Sequence, residues 1–143
     1  MGFLGKLFGG GKDEHPPLDP QSPAGQRFEK HRATAEGFAG RLHDRLEVIP
    51  GDKFMYCFIG NPPEAFGIAW FEGGDEHNLK TLMKSRGLTQ VQLGHISTEL
   101  RGAYMRSASE PRFVHPAGKK KIIVTPSASL EKELLKIIHE VES

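Results

Sequence analysis

The chain has 143 residues, with 19 Lys and Arg against 18 Asp and Glu, for a net charge of +1. That length supports one domain with a real core and not two, and the near-zero charge excludes a polyelectrolyte. No apolar run approaches bilayer-spanning length, and a single Cys excludes an internal disulfide or a multi-Cys metal site, so the chain reads as soluble and cytoplasmic.

Residues 1–21 read as a flexible N-terminal tail. Gly9, Gly10 and Gly11 run together and Pro16, Pro17 and Pro20 follow; Gly raises the entropy cost of ordering, and Pro blocks helix and ladder hydrogen bonds. Segment 1–8 differs. Phe3, Leu4, Leu7 and Phe8 recur at one-turn helical spacing, which suits a membrane surface or a partner groove. The apolar part is too short for a signal peptide.

Residues 22–143 read as one α+β domain. Ser22-Pro23 has the grammar of a helix start. Phe28, Ala35, Phe38, Leu42 and Leu46 then predict a long amphipathic helix over about 23–48, ended by Pro50-Gly51. Residues 53–60 and 65–72 are apolar and aromatic on either side of Asn61-Pro62-Pro63-Glu64, which predicts a β-hairpin. Pairing Gly60 with Ala65 puts Met55, Cys57, Ile59, Phe66, Ile68 and Trp70 on one face. Both faces are apolar, which places the hairpin centrally in its sheet.

Gly73-Gly74 breaks the second strand, and Asp75 then caps a helix carrying Leu79, Leu82 and Met83 as far as Gly87. Thr89 and Gln92 have capping-box spacing. Val91, Ile96, Leu100 and Tyr104 continue as a helical stripe, with β-structure over 88–96 as the alternative. Residues 112–115 and 122–124 predict a second hairpin, and Ser127 caps a last helix. The expected fold is therefore α+β in the order α-β-β-α-α-β-β-α. Its antiparallel sheet has four or five strands from two hairpins, with helices packed on it.

The segment Leu79-Lys80-Thr81-Leu82-Met83-Lys84-Ser85-Arg86-Gly87-Leu88-Thr89-Gln90-Val91-Gln92-Leu93-Gly94 resembles the opening helices of phage-repressor-like helix-turn-helix domains. The resemblance implies an all-helical DNA-binding domain, with a small turn and a recognition helix to follow. Here Ile96-Ser97-Thr98-Glu99-Leu100 follows without that turn, and the flanking sequence is strand-rich.

Catalytic signatures are missing. No G-x-S-x-G occurs, and Cys57 sits in an apolar strand where desolvation disfavours the thiolate. The seven His show no metal-ligand spacing, and Asp75-Glu76-His77 reads as acids complementing a helix dipole. No metal and no cofactor are expected. Charge is more informative: residues 50–79 carry a net −4, while 80–121 carry nine basic residues against two acids. Arg101, Arg106, Arg112, Lys119, Lys120 and Lys121 form a candidate anion or nucleic-acid site, interleaved with Tyr104 and Phe113. The leading expectation is a non-catalytic binding or interaction module for a protein partner. A nucleic-acid-binding or regulatory role for the basic stretch 80–121 is the alternative, and an enzyme with an unrecognised site the second.

Overall fold

A computed structural model describes residues 15–142. Segment 1–8, and with it the expected membrane or partner contact, lies outside the described residues.

Two short helices open the domain. In α1 (Pro23–Glu29) Ser22 accepts a hydrogen bond from the Gly25 amide at 3.0 Å, and Pro23 stands in the first turn. α2 (Arg32–Arg41) follows after a break at Lys30-His31, where His31 Nε2 meets the Gly51 carbonyl at 2.8 Å. The single helix expected over 23–48 is therefore corrected. Leu46–Pro50 forms strand β1, consistent with the β-branched pair Val48-Ile49 and a Pro that cannot continue a helix.

β2 (Phe54–Asn61) and β3 (Ala65–Glu72) make the expected hairpin, but one residue out of the expected register. Asn61 pairs with Ala65 and Gly60 with Phe66. The turn is the three residues Pro62–Glu64, closed by the Glu64 amide donating to the Asn61 carbonyl at 3.0 Å. A one-residue slip exchanges the faces of one strand relative to the other. Tyr56, Phe58, Ile68 and Trp70 now share one side, while Met55, Cys57, Ala69 and Phe71 share the other.

Gly73 and Gly74 do not end the sheet. With φ of +58° and +91° they form a two-residue hairpin turn, and β4 (Asp75–Asn78) pairs back on β3 where a helix start was expected. Asn78 and Thr81 then form a capping box for α3 (Leu79–Arg86), and Thr89 and Gln92 form another for α4 (Gln90–Arg106). α4 runs unbroken, so residues 88–96 contain no strand and the turn that a repressor-like domain requires after Gly94 is missing. β5 (Phe113–Ala117), β6 (Lys120–Val124) and α5 (Ala128–Glu142) complete the chain.

The class is α+β, but the sheet is six-stranded and mixed, in the order β4-β3-β2-β1-β6-β5. β1 is antiparallel to β2 and parallel to β6, the one parallel pair. The expected wholly antiparallel sheet is corrected because Leu46–Pro50, read as helix end, is instead the strand that joins the two hairpins. α1 and α2 cover one face through Phe28, Ala35, Phe38 and Ala39. α3, α4 and α5 cover the other through Leu82, Ile96, Leu100, Leu130 and Leu134. Residues 16–18, expected within the tail, run along the outer edge of β5. Val114 N donates to the Pro16 carbonyl and Leu18 N to the Val114 carbonyl, each at 2.9 Å. No helix among the described residues is long and apolar enough to cross a membrane.

Trp70 is 1% exposed in the core beneath α3, α4 and α5. Trp70→Ala should lower stability by about 3–5 kcal/mol, read as a shift of the urea unfolding midpoint. A change below about 1 kcal/mol would show that Trp70 is not part of the core.

Candidate functional site

The polar centre of the molecule grows from one residue of β1. Strand alternation turns Leu46 and Val48 toward α1 and α2, and Glu47 and Ile49 toward α4 and α5. Glu47 is thereby fully buried in the middle strand of the β2-β1-β6 set. A buried carboxylate needs partners, and four side chains supply them. The Tyr104 hydroxyl donates to Oε1 at 2.7 Å and Arg45 Nη2 to Oε1 at 3.1 Å. The Thr125 hydroxyl donates to Oε2 at 2.6 Å and Arg112 Nε to Oε2 at 2.9 Å.

The network extends outward from Arg112. Its Nη1 donates to the carbonyls of Ser107 and Glu110, and its Nη2 to Ser107 Oγ at 2.9 Å. Its guanidinium lies 5.1 Å from the Tyr104 ring centroid. Ser127 donates to Glu110 and accepts from the Leu130 amide at 3.0 Å, capping α5. One carboxylate thus ties β1, β6, the end of α4 and the loop before β5, and through Glu110 the start of α5.

Burial pushes the Glu47 carboxyl up, but Arg112, the Thr125 and Tyr104 hydroxyls and Arg45 together outweigh it and hold it below the usual glutamate value. Burial, with Glu47 adding to it, pushes the Tyr104 phenol up to about 12. Beside this network a cleft of about 360 Å³ is bordered by His15, Arg45, Tyr104, Met105 and Arg112. The arrangement is an ion-pair lock. Each Glu47 oxygen accepts two hydrogen bonds, so the carboxylate is fully engaged as an acceptor.

The sequence reading missed Glu47. A single acid between Leu46 and Val48, ahead of Ile49-Pro50, is the signal of a strand with one buried charge, and it was masked by the helical reading of 23–48.

The six candidate cations occupy different settings. Arg112 is inside the lock. Arg101 clamps the β2–β3 turn, with Nε donating to the Pro63 carbonyl at 2.6 Å and its guanidinium 5.7 Å from the Phe66 ring centroid. Arg106 pairs with Glu133 of α5 at 2.6 Å. Lys120 donates to the carbonyls of Leu42 and Ala39 at the end of α2. Lys119 and Lys121 stand exposed at the β5–β6 turn. Three of the six therefore hold buried or backbone groups of the fold, Arg106 makes a solvent-exposed pair, and two face solvent.

Other reactive types are likewise engaged. Burial pushes the Cys57 thiol up. Glu76 pairs with Arg41 at 3.2 Å and His77 stacks on Trp70, so Asp75-Glu76-His77 is strand edge and not a helix cap. Among the described residues no group of three or more His, Cys, Asp or Glu is placed to hold a metal ion. Known protein families, curated proteins and solved structures give no match to this chain.

Removing one partner from a buried ion pair leaves an uncompensated charge, so Glu47→Ala should cost about 3–5 kcal/mol. Thr125→Val, which removes one hydroxyl, should cost about 1–3 kcal/mol. The pH dependence follows in sign. A carboxyl held below its unfolded value stabilises the fold above the unfolded pKa of about 4.3, and this contribution is lost as pH falls through the folded value. Glu36, lowered by its hydrogen bond to His115, acts in the same direction. In urea titrations at pH 7 and pH 3, Glu47→Gln should be weaker than wild type at pH 7 and should lose less on acidification. Equal losses would show that Glu47 does not titrate with folding.

Proposed function

We propose that the protein is a non-catalytic binding module for a protein partner, working in the cytoplasm without a cofactor. The observation that carries this reading is the state of the buried polar network around Glu47: Glu47 is saturated by four donors, and Arg112 is directed inward. A general base needs an accessible lone pair within reach of the proton it takes, and this carboxylate keeps none. The unengaged groups lie outside. Val91, Met105 and Leu135 are exposed large hydrophobics, and cations without an ion pair among the described residues stand on α3, on α5 and on the β5–β6 turn.

A nucleic-acid-binding role for 80–121 is the second reading, and the solvent-facing Lys119 and Lys121 favour it. Phosphate contacts of this kind give a sequence-independent, salt-dependent affinity.

Thermal unfolding of the full chain with divalent metals, mononucleotides and a DNA duplex tests both. A ligand at a hundred times its Kd adds about 2.7 kcal/mol to stability, a shift of several degrees in a domain this size. Metals and mononucleotides should leave the midpoint unmoved. A shift with either overturns the cofactor-free reading, and a shift with the duplex that Lys119→Ala/Lys121→Ala abolishes favours the second.

A further inference from the structure

Most cations on this surface have a partner. Arg41 meets Glu76 at 3.2 Å, Lys53 meets Glu72 at 3.2 Å, and Arg106 meets Glu133 at 2.6 Å. α3 is different. Lys80, Lys84 and Arg86 are all exposed, and none of the three has an ion pair or a side-chain hydrogen bond among the described residues. Residues 77–98 contain no Asp or Glu. The nearest acid before them, Glu76, is held by Arg41. Lys80 and Lys84 are four apart and so lie on the same helix face, about 6 Å apart along the axis. Like charges at that spacing destabilise a helix, and an anionic partner removes that cost.

The corner also carries an apolar group. α3 ends at Gly87 with φ +63°, and only Gly87, Leu88 and Thr89 separate it from α4. The first turn of α4 presents Val91, 83% exposed and the most exposed large hydrophobic among the described residues, between exposed Gln90 and Gln92. Arg86 borders a groove of about 400 Å³ that Leu82, Ser85 and His77 also line.

We propose that the α3–α4 corner is a docking surface for an acidic segment of a protein partner. Its carboxylates would lie against Lys80 and Lys84, which share one helix face, and an apolar side chain would cover Val91; Arg86, two positions beyond Lys84, projects from the opposite side beside Leu82. This rests on the binding-module reading and names the chemistry of the partner. Charge complementarity sets the sign, because the cations have no internal acid to satisfy them. Val91 sets the class, because protein interfaces pair an apolar centre with a polar rim. A phosphate backbone matches the charge and leaves the valine uncovered.

Fluorescence anisotropy on the full chain tests it, with three labelled probes: a Glu-rich peptide with two central leucines, the same peptide with serines in place of the leucines, and a DNA duplex. The leucine peptide should bind at low salt and weaken as salt rises. Lys80→Ala/Lys84→Ala should reduce that affinity about tenfold, equivalent to about 1.4 kcal/mol. Lys119→Ala/Lys121→Ala should leave it unchanged. Val91→Ser should weaken the leucine peptide and leave the serine peptide unaffected. Urea midpoints equal to wild type would confirm that the variants fold, since Leu82 is the residue that α3 buries. The proposal is overturned if the leucine peptide fails to bind at low salt, if Val91→Ser changes nothing, or if the duplex binds more tightly through the same two lysines. Peptide binding that survives the α3 substitutions also overturns it, while leaving the binding-module reading intact.

Discussion

The Glu47 carboxylate, fully buried between Arg45 and Arg112, is the constraint on which the rest of the arrangement depends. Taking one carboxylate and two guanidiniums out of water costs several kcal/mol per ion. The cost is offset only where every charge-assisted hydrogen bond is made. Glu47 meets that condition in one geometry: β1 between β2 and β6, with Thr125 just past the end of β6 and Tyr104 in the last turn of α4. Slipping β1 by one residue would turn Glu47 toward Phe28, Ala35 and Phe38, where burial without those partners is expensive. The network therefore selects the register of the central strand, a role better grounded for buried ion pairs than net stabilisation.

The same network determines how the helices sit. Tyr104 anchors the end of α4, Arg112 gathers the carbonyls of Ser107 and Glu110, and Glu110 holds the Ser127 cap of α5. The apolar core beneath gives general adhesion through Trp70, Phe58, Leu100 and Leu134, but hydrophobic contact is non-directional. Direction comes from the polar chain leading outward from Glu47. Arg101, one turn before Tyr104 on α4, does a related service beside the network, where it holds the Pro63 carbonyl and so ties α4 to the β2–β3 turn.

Much of the fold is legible in the sequence, and the losses have physical causes. The aromatic hairpin, the Thr89–Gln92 capping box and the last helix follow from local chemistry: alternation, Thr before a helix, and an apolar stripe; the other helix start is displaced from the expected Asp75 to Asn78 because β4 intervenes. β1 escapes because Phe28, Ala35, Phe38, Leu42 and Leu46 sustain a helical period across a real break. His31, which meets the Gly51 carbonyl, stands at the break between α1 and α2, and Lys120 takes the carbonyls of Ala39 and Leu42 where α2 stops. β4 escapes because Gly73-Gly74 reads equally as a strand break or a hairpin turn, and positive φ at both residues decides for the turn. The candidate site is less legible. A guanidinium looks the same in sequence whether it meets solvent or a buried carboxylate, so Arg101, Arg106 and Arg112 read as one basic cluster. In the fold they serve a turn, a helix pair and the interior.

That separation sorts the charges by task. The sequence places a net −4 over residues 50–79 and a net +7 over 80–121, which suggests a simply polarised surface. The fold divides the positive stretch instead. Arg101, Arg106, Arg112 and Lys120 are bound to backbone carbonyls or carboxylates of other elements, and each restrains a junction. Lys80, Lys84 and Arg86 restrain nothing, and they stand on a helix whose buried residue is Leu82 alone. Cations that stabilise the fold and cations free to meet a partner thus come from one run of sequence but sit on different elements. Surface charge on α3 contributes little to stability in water, so its chemistry is independent of the buried lock around Glu47, and each can change without disturbing the other.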